Sequence, residues 1–216
     1  MDRFQAVVFD MDGLLLDSER LALVSFEAAC THFQLPDSPD VFQKLIGANA
    51  QLAKVVLREG FAGQIEPEVF DEVWQKRYLE LVTERPIPLM PGVENLLATL
   101  KQMNMPMAVA TSSKTAGAIY KLTAAGIYDY FQILVGGDQV ENSKPKPDIF
   151  LRAAHKLNFE SKHCLAFEDS ENGVKAAHAA GMTVVQIPDL IQPSDDLLAL
   201  GHIVLNRIDE VIGYKF

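Results

Sequence analysis

Apolar residues follow two different rhythms along this chain. Residues 6–9, Ala-Val-Val-Phe, form an unbroken apolar run, as in a strand buried on both faces. From Asp17 the spacing becomes helical. Ser18 stands where an N-cap would, and Leu21, Val24, Ala28 and Cys30 fall near one stripe that ends around Gln34-Leu35-Pro36. Further helices are predicted near 39–46, 50–59 and 67–84, broken by Gly47, Gly60 and Gly63, with no convincing strand between Leu16 and Pro86. From Gly92 onward the two rhythms alternate. Helices over 93–103, 115–125, 148–157 and 172–180 precede strands over 107–111, 133–136, 164–167 and 183–187, and a last strand is predicted at 203–205. The stretch 193–196 reads as a surface turn. Such alternation predicts an α/β fold, a doubly wound parallel sheet. Residues 1–16 and 86–216 form its core, and residues 17–85 are an inserted all-helical domain.

Composition narrows the partners. The chain has 216 residues, 49% of them apolar, enough for one generous core and a small second one. A formal charge of −10 argues against nucleic acid or an anionic membrane surface as partner. Cys30 and Cys164 are far apart in apolar settings and read as buried free thiols of a reducing compartment. With no signal peptide and no membrane-spanning run, the expectation is a cytoplasmic protein, a monomer or weak homodimer.

The chemistry gathers where strands should end, which in an open α/β sheet is where ligands bind. Asp10 and Asp12 follow the first apolar run and Gly13 follows them. The two side chains would converge only if the chain stayed extended; a bend at Gly13 would also let the carbonyl between them turn inward. Like charges this close need a cation, a shared proton or full solvation. Thr111-Ser112-Ser113 closes another strand, Lys144 lies in a loop before a helix, and Glu168-Asp169 closes a further strand. Asp10, Glu168 and Asp169 suit Mg²⁺, which prefers a few carboxylates, waters and a substrate phosphate. Thr111 and Lys144 suit a phosphoryl group. One aspartate can attack phosphorus, and the second can protonate the leaving oxygen and then activate water. Plainer roles are open to several residues. Thr111 to Ser113 could cap the following helix, Lys146 reads as a solvated surface residue, and Asp17 as a hinge or capping hydrogen bonder. Asn172 could cap the acidic loop. Trp74 and Tyr78 read as packing of the helical insert, and the five histidines as structural.

Asp10-Met11-Asp12-Gly13, Thr111, Lys144 and Glu168-Asp169 resemble the four ordered motifs of the haloacid dehalogenase-like hydrolase superfamily. The resemblance runs from residue 6 to about 188, and the insert is similar to the small helical cap of β-phosphoglucomutase-like proteins and sugar-phosphate phosphatases. It implies a Rossmann-like core, Asp10 as nucleophile and Asp12 as acid/base. It also implies Mg²⁺ held by Asp10, the Asp12 carbonyl, Glu168 and Asp169, and a phosphoryl group held by Thr111, Ser112 and Lys144. Ser113 and Lys114 match positions that face the rest of the substrate, and Gly47 and Asn49 of the cap loop are further candidate contacts. Superfamily dehalogenases lack the second aspartate, so Asp12 speaks for phosphoryl transfer. β-Phosphoglucomutase carries an arginine in the cap loop and a cap histidine, where this chain has Gly47-Ala48-Asn49-Ala50 and Arg20-Leu21-Ala22-Leu23. The expected activity is therefore hydrolysis of a small phosphorylated metabolite through an aspartyl phosphate. The alternatives are a phosphomutase and a non-hydrolytic phospho-receiver or binding protein. The substrate is not named by the sequence.

Overall fold

A computed structural model of the chain describes all residues except Met1, Asp2, Gly47, Asn49, Lys215 and Phe216, and Ala50 without its side chain. In chain order the elements are β1 (Ala6–Phe9), α1 (Ser18–His32), α2 (Pro39–Leu45), α3 (Ala50–Gly60), α4 (Pro67–Glu84) and α5 (Val93–Gln102). There follow β2 (Met107–Ala110), α6 (Thr115–Ala124), β3 (Ile133–Val135), α7 (Asp148–Lys156), β4 (Cys164–Glu168), α8 (Glu171–Ala179), β5 (Thr183–Gln186), α9 (Asp195–Leu198) and β6 (Ile203–Val204). The six strands make one parallel sheet in the order β3-β2-β1-β4-β5-β6, the doubly wound arrangement expected from the alternation.

Register and side-chain size place the site. Phe9 pairs with Val109 on one side and Phe167 on the other, so Asp10 is level with Ala110 and Glu168 at the carboxyl edge. One face of the sheet is bulky: Val7, Phe9, Met107, Val109, Leu165 and Phe167 pack against α5 and α6. The other face is small: Ala6, Val8, Ala108, Ala110, Cys164 and Ala166 lie under α7 and α8. Small side chains let these two helices approach closely, which brings the start of α8 against the end of β4. Cys30 and Cys164 are buried free thiols.

Helices α1–α4 have a separate core, chiefly aromatic: Phe26 stacks among Phe42, Phe61, Phe70 and Trp74 at ring separations of 5.3 to 6.2 Å. The chain enters and leaves them through adjacent linkers. The Asp17 N–H donates to Pro88 O at 2.9 Å, the Met90 N–H to Leu15 O at 3.0 Å, and Leu16 bridges Leu89 antiparallel.

Two local readings of the sequence change. Ser18 is the first helical residue of α1 and does not cap it; Asp17 holds the cap position but its carboxylate accepts from Arg20 rather than from the helix backbone, and the Ser18 hydroxyl is drawn to Asp12. The stretch after Pro193 is a short helix, because Ser194 caps α9 by accepting from the Leu197 N–H, and Leu197 is fully buried. Among the described residues no helix is long and apolar enough to cross a membrane.

Phe26 touches every other aromatic side chain of the insert's core except Phe33. Phe26→Ala is expected to cost about 3–5 kcal/mol, read by chemical denaturation.

Candidate active site

The loop after β1 sets the geometry. The Asp10 N–H donates to Phe167 O at 3.0 Å, which anchors the end of the strand. The chain then turns at once. Met11 O accepts from the N–H groups of Leu15 and Leu16, so the carbonyl between the two aspartates is committed to the turn rather than facing the site. Gly13 is needed twice over. Its φ is +80°, and a Cβ there would lie 2.5 Å from Asp169 Oδ2.

Asp10, Glu168 and Asp169 form one buried cluster whose oxygens lie within 4.8 Å of one another. Lys144 enters from its loop and donates to Asp10 Oδ1 at 2.5 Å and to Glu168 Oε1 at 2.6 Å. Glu168 is further tied by its other oxygen, which accepts from the Asp169 N–H, the Ser170 N–H and the Ser170 hydroxyl at 3.1 to 3.2 Å. Gly173 permits this: a Cβ there would fall 1.8 Å from the Glu168 carboxyl carbon. Ser170, rather than Asn172, caps α8 by accepting from the Gly173 N–H. Gln186 fixes the acidic loop by donating to Asp169 O at 3.0 Å.

One lysine against three buried carboxylates leaves negative charge uncompensated. Burial pushes the Asp10 carboxyl up to about 7 against the pull of Lys144, and Glu168 and Asp12 add repulsion. Burial, with repulsion from Glu168 and Asp10, raises Asp169 well above the usual carboxylate range. Three hard oxygen donors and an unmet negative charge fit a small divalent cation such as Mg²⁺. Asp10 and Asp169 are the freest donors, since Glu168 already accepts four hydrogen bonds. The Asp12 carboxylate lies outside this cluster.

Asp12 turns the other way. Its Oδ1 accepts from the Ser18 hydroxyl at 2.8 Å and from Lys121 Nζ at 2.5 Å, and its Oδ2 accepts from the Ser113 hydroxyl at 2.8 Å. Burial would raise this carboxyl, but Lys121 and the two hydroxyls outweigh it and hold it below its ordinary value. Lys121 was not singled out from the sequence. The signal was present: on α6 it shares the buried stripe with Ala118 and Leu122, where a lysine needs a buried partner. The Tyr78 hydroxyl of α4 lies 3.4 Å from Lys121 Nζ, a contact from the helical insert to the core.

The other candidates are distributed as follows. Thr111 is buried at the end of β2, its hydroxyl accepting from the Ser113 N–H at 3.1 Å, and the exposed Ser112 follows it. Both line the cleft, as does Ser113, whose hydroxyl is spent on Asp12. Lys114 is exposed at the N-cap of α6 and is not among the lining residues. Lys146 is exposed. Gly47 and Asn49 fall outside the described residues, while Ile46 and Ala48 line the cleft. The cleft itself holds about 340 Å³ between the strand ends and the helical insert. Trp74 and Tyr78 do more than pack, since both line its wall, and Glu19, unremarked in the sequence, lines it too.

A family model described as haloacid dehalogenase-like hydrolase matches residues 7–187. A phosphorylated carbohydrates phosphatase of Thermotoga maritima is 30% identical over 214 residues, spanning 97% of each chain. A β-phosphoglucomutase of Bacillus subtilis is also 30% identical over 214 residues, spanning 92% of this chain and 94% of the relative. Among solved structures, a HAD hydrolase of family IA, variant 3, from Entamoeba histolytica superposes with a TM-score of 0.80 at 26% identity, covering 95% of this chain and 94% of that one.

If the carboxylate cluster holds a cation, calorimetric titration with Mg²⁺ gives one site. Asp169→Asn abolishes that binding, because it removes the least committed donor, while Lys146→Ala leaves it unchanged.

Proposed function

The chain belongs to the haloacid dehalogenase-like hydrolase family, and from that membership we propose that it is a Mg²⁺-dependent phosphatase of a small phosphomonoester, a sugar phosphate or related metabolite. The observation that carries this reading is the opposed setting of the two aspartates. Asp10 sits with Lys144 and the acidic cluster on the cleft floor, and Asp12 is held apart by Lys121, Ser18 and Ser113. This gives each carboxyl separate partners, as a nucleophile and a proton carrier require, and a cation at the cluster would bring the raised Asp10 carboxyl back down to the ionised form that attacks. The relative that acts on phosphorylated carbohydrates supports the substrate class.

In this reading Asp10 attacks phosphorus and forms an aspartyl phosphate as the bond to the leaving oxygen breaks. Asp12 enters the cycle protonated, the negative charge of the bound phosphate countering the pull of Lys121; it gives that proton to the leaving oxygen and later takes one from the water that hydrolyses the intermediate, so the proton count closes over the cycle. Lys144 and the Thr111 and Ser112 groups hold the transferring phosphoryl oxygens. Mg²⁺, when bound by Asp10, Asp169 and Glu168, would neutralise charge on the phosphoryl group and on the acids around it. Residues 17–85 act as a lid, pivoting on the paired linkers, to exclude water. A mutase would need a second phosphate site. Among the described lining residues the cations are Lys121 and Lys144, and both rest on carboxylates, so hydrolysis is preferred.

Asp10→Asn is expected to abolish phosphatase turnover, while Lys146→Ala retains it. Asp12→Asn is expected to lower kcat/KM for an alkyl phosphate by about 10²-fold and for p-nitrophenyl phosphate by much less, since nitrophenolate leaves without a proton. Equal losses on both substrates would remove Asp12 from proton delivery, and normal turnover in Asp10→Asn would remove the nucleophile.

A further inference from the structure

Glu19 stands in the first turn of α1, at the junction of the cleft and a smaller adjoining cavity of about 200 Å³. Its carboxyl has no hydrogen bond or ion pair among the described residues. Its charged surroundings are mostly acidic: burial and the neighbouring Asp12 and Asp189 push it up to about 7, opposed by Lys121 alone. Arg20, next in the chain, is turned away onto Asp17 and Asp189. Lys121 and Lys144 rest on Asp12, Asp10 and Glu168. Gly47 and Asn49, which flank Ala48 in sequence, carry no charge. Within the cleft and the adjoining cavity the insert thus offers the substrate an open carboxyl and, among the described lining residues, no cation. The same cleft carries an apolar wall of Phe42, Leu45 and Trp74.

We infer that Glu19 is the specificity-determining contact for the part of the substrate beyond its phosphate, pairing with hydroxyls of an uncharged polyol or sugar and rejecting a second anionic group. A half-buried carboxyl without a donor gains from a ligand hydroxyl, and a like charge brought against it is repelled. The apolar wall suits the C–H face of the same polyol. This rests on the phosphatase reading and narrows its substrate to monophosphates with a neutral remainder.

Glycerol 3-phosphate and 3-phosphoglycerate test it, because they differ only in a hydroxymethyl against a carboxylate at the far end. Each is measured as a competitor of p-nitrophenyl phosphate hydrolysis in saturating Mg²⁺ at a pH well above 7, where the Glu19 carboxyl is ionised. Wild-type hydrolysis of p-nitrophenyl phosphate, lost in Asp10→Asn, checks the underlying phosphatase reading by itself. The wild type is expected to bind glycerol 3-phosphate about tenfold or more tightly than 3-phosphoglycerate. Glu19→Gln, which keeps size and removes charge, brings the ratio toward one, mainly by tighter binding of the carboxylate. Glu19→Asp keeps the preference. Equal or reversed preference in the wild type, or a ratio unchanged in Glu19→Gln, overturns the inference. So does a Glu19→Gln variant whose main defect is a raised Mg²⁺ requirement with the ratio intact, since Glu19 also lies near Asp169 across Gly13.

Discussion

The site depends on one buried cation. Lys144 touches both Asp10 and Glu168, and all three side chains are withdrawn from water. A charge buried alone is costly, and it is tolerated here only because each group is paired or hydrogen-bonded. Asp10 and Glu168, against burial, lift Lys144 above its ordinary value and keep it charged. A cluster so arranged contributes little stability of its own. It is held by the two apolar layers beneath it, whose residues are almost wholly excluded from solvent.

Those layers also explain why the pairing is possible. Parallel register makes Asp10 level with Glu168, so the lysine can reach both. The small face of the sheet leaves room for α8 to lie close, and the turn that leads into it satisfies the second oxygen of Glu168 with the Asp169 and Ser170 N–H groups and the Ser170 hydroxyl. That closeness requires Gly173, as the approach of Asp169 requires Gly13. The chain from alanines in β2 and β4 to a fully hydrogen-bonded glutamate is continuous: side-chain volume sets how closely α8 lies, and the capping turn at its start supplies the donors.

Features that depend on local pattern were legible in the sequence. Apolar runs marked the strands, helical spacing marked the insert, and acids at strand ends marked the cluster. What was not legible depends on contacts between distant parts of the chain. Ser18 has the composition of a cap, but Asp12, six residues earlier, competes for its hydroxyl and wins. The stretch after Pro193 looked like a turn because its helical signal is one capping serine and one buried leucine. Lys121 sits 109 residues from Asp12, and only its place on a buried stripe hinted at a partner. Glu19 was silent because its character is the lack of a partner, which composition cannot display.

The two aspartates show how the local and the distant combine. Residues two apart in a strand point the same way, and a pair of carboxylates so placed would repel. The chain avoids this by leaving the strand immediately after Asp10 and closing a turn on Met11 O and Gly13. The turn directs Asp10 to Lys144, from the loop before α7, and Asp12 to Lys121, from α6. Each carboxyl then has its own cation and its own proton affinity, one raised and one lowered. Two identical side chains therefore become chemically different because a glycine bends the backbone between two lysines delivered by separate parts of the fold.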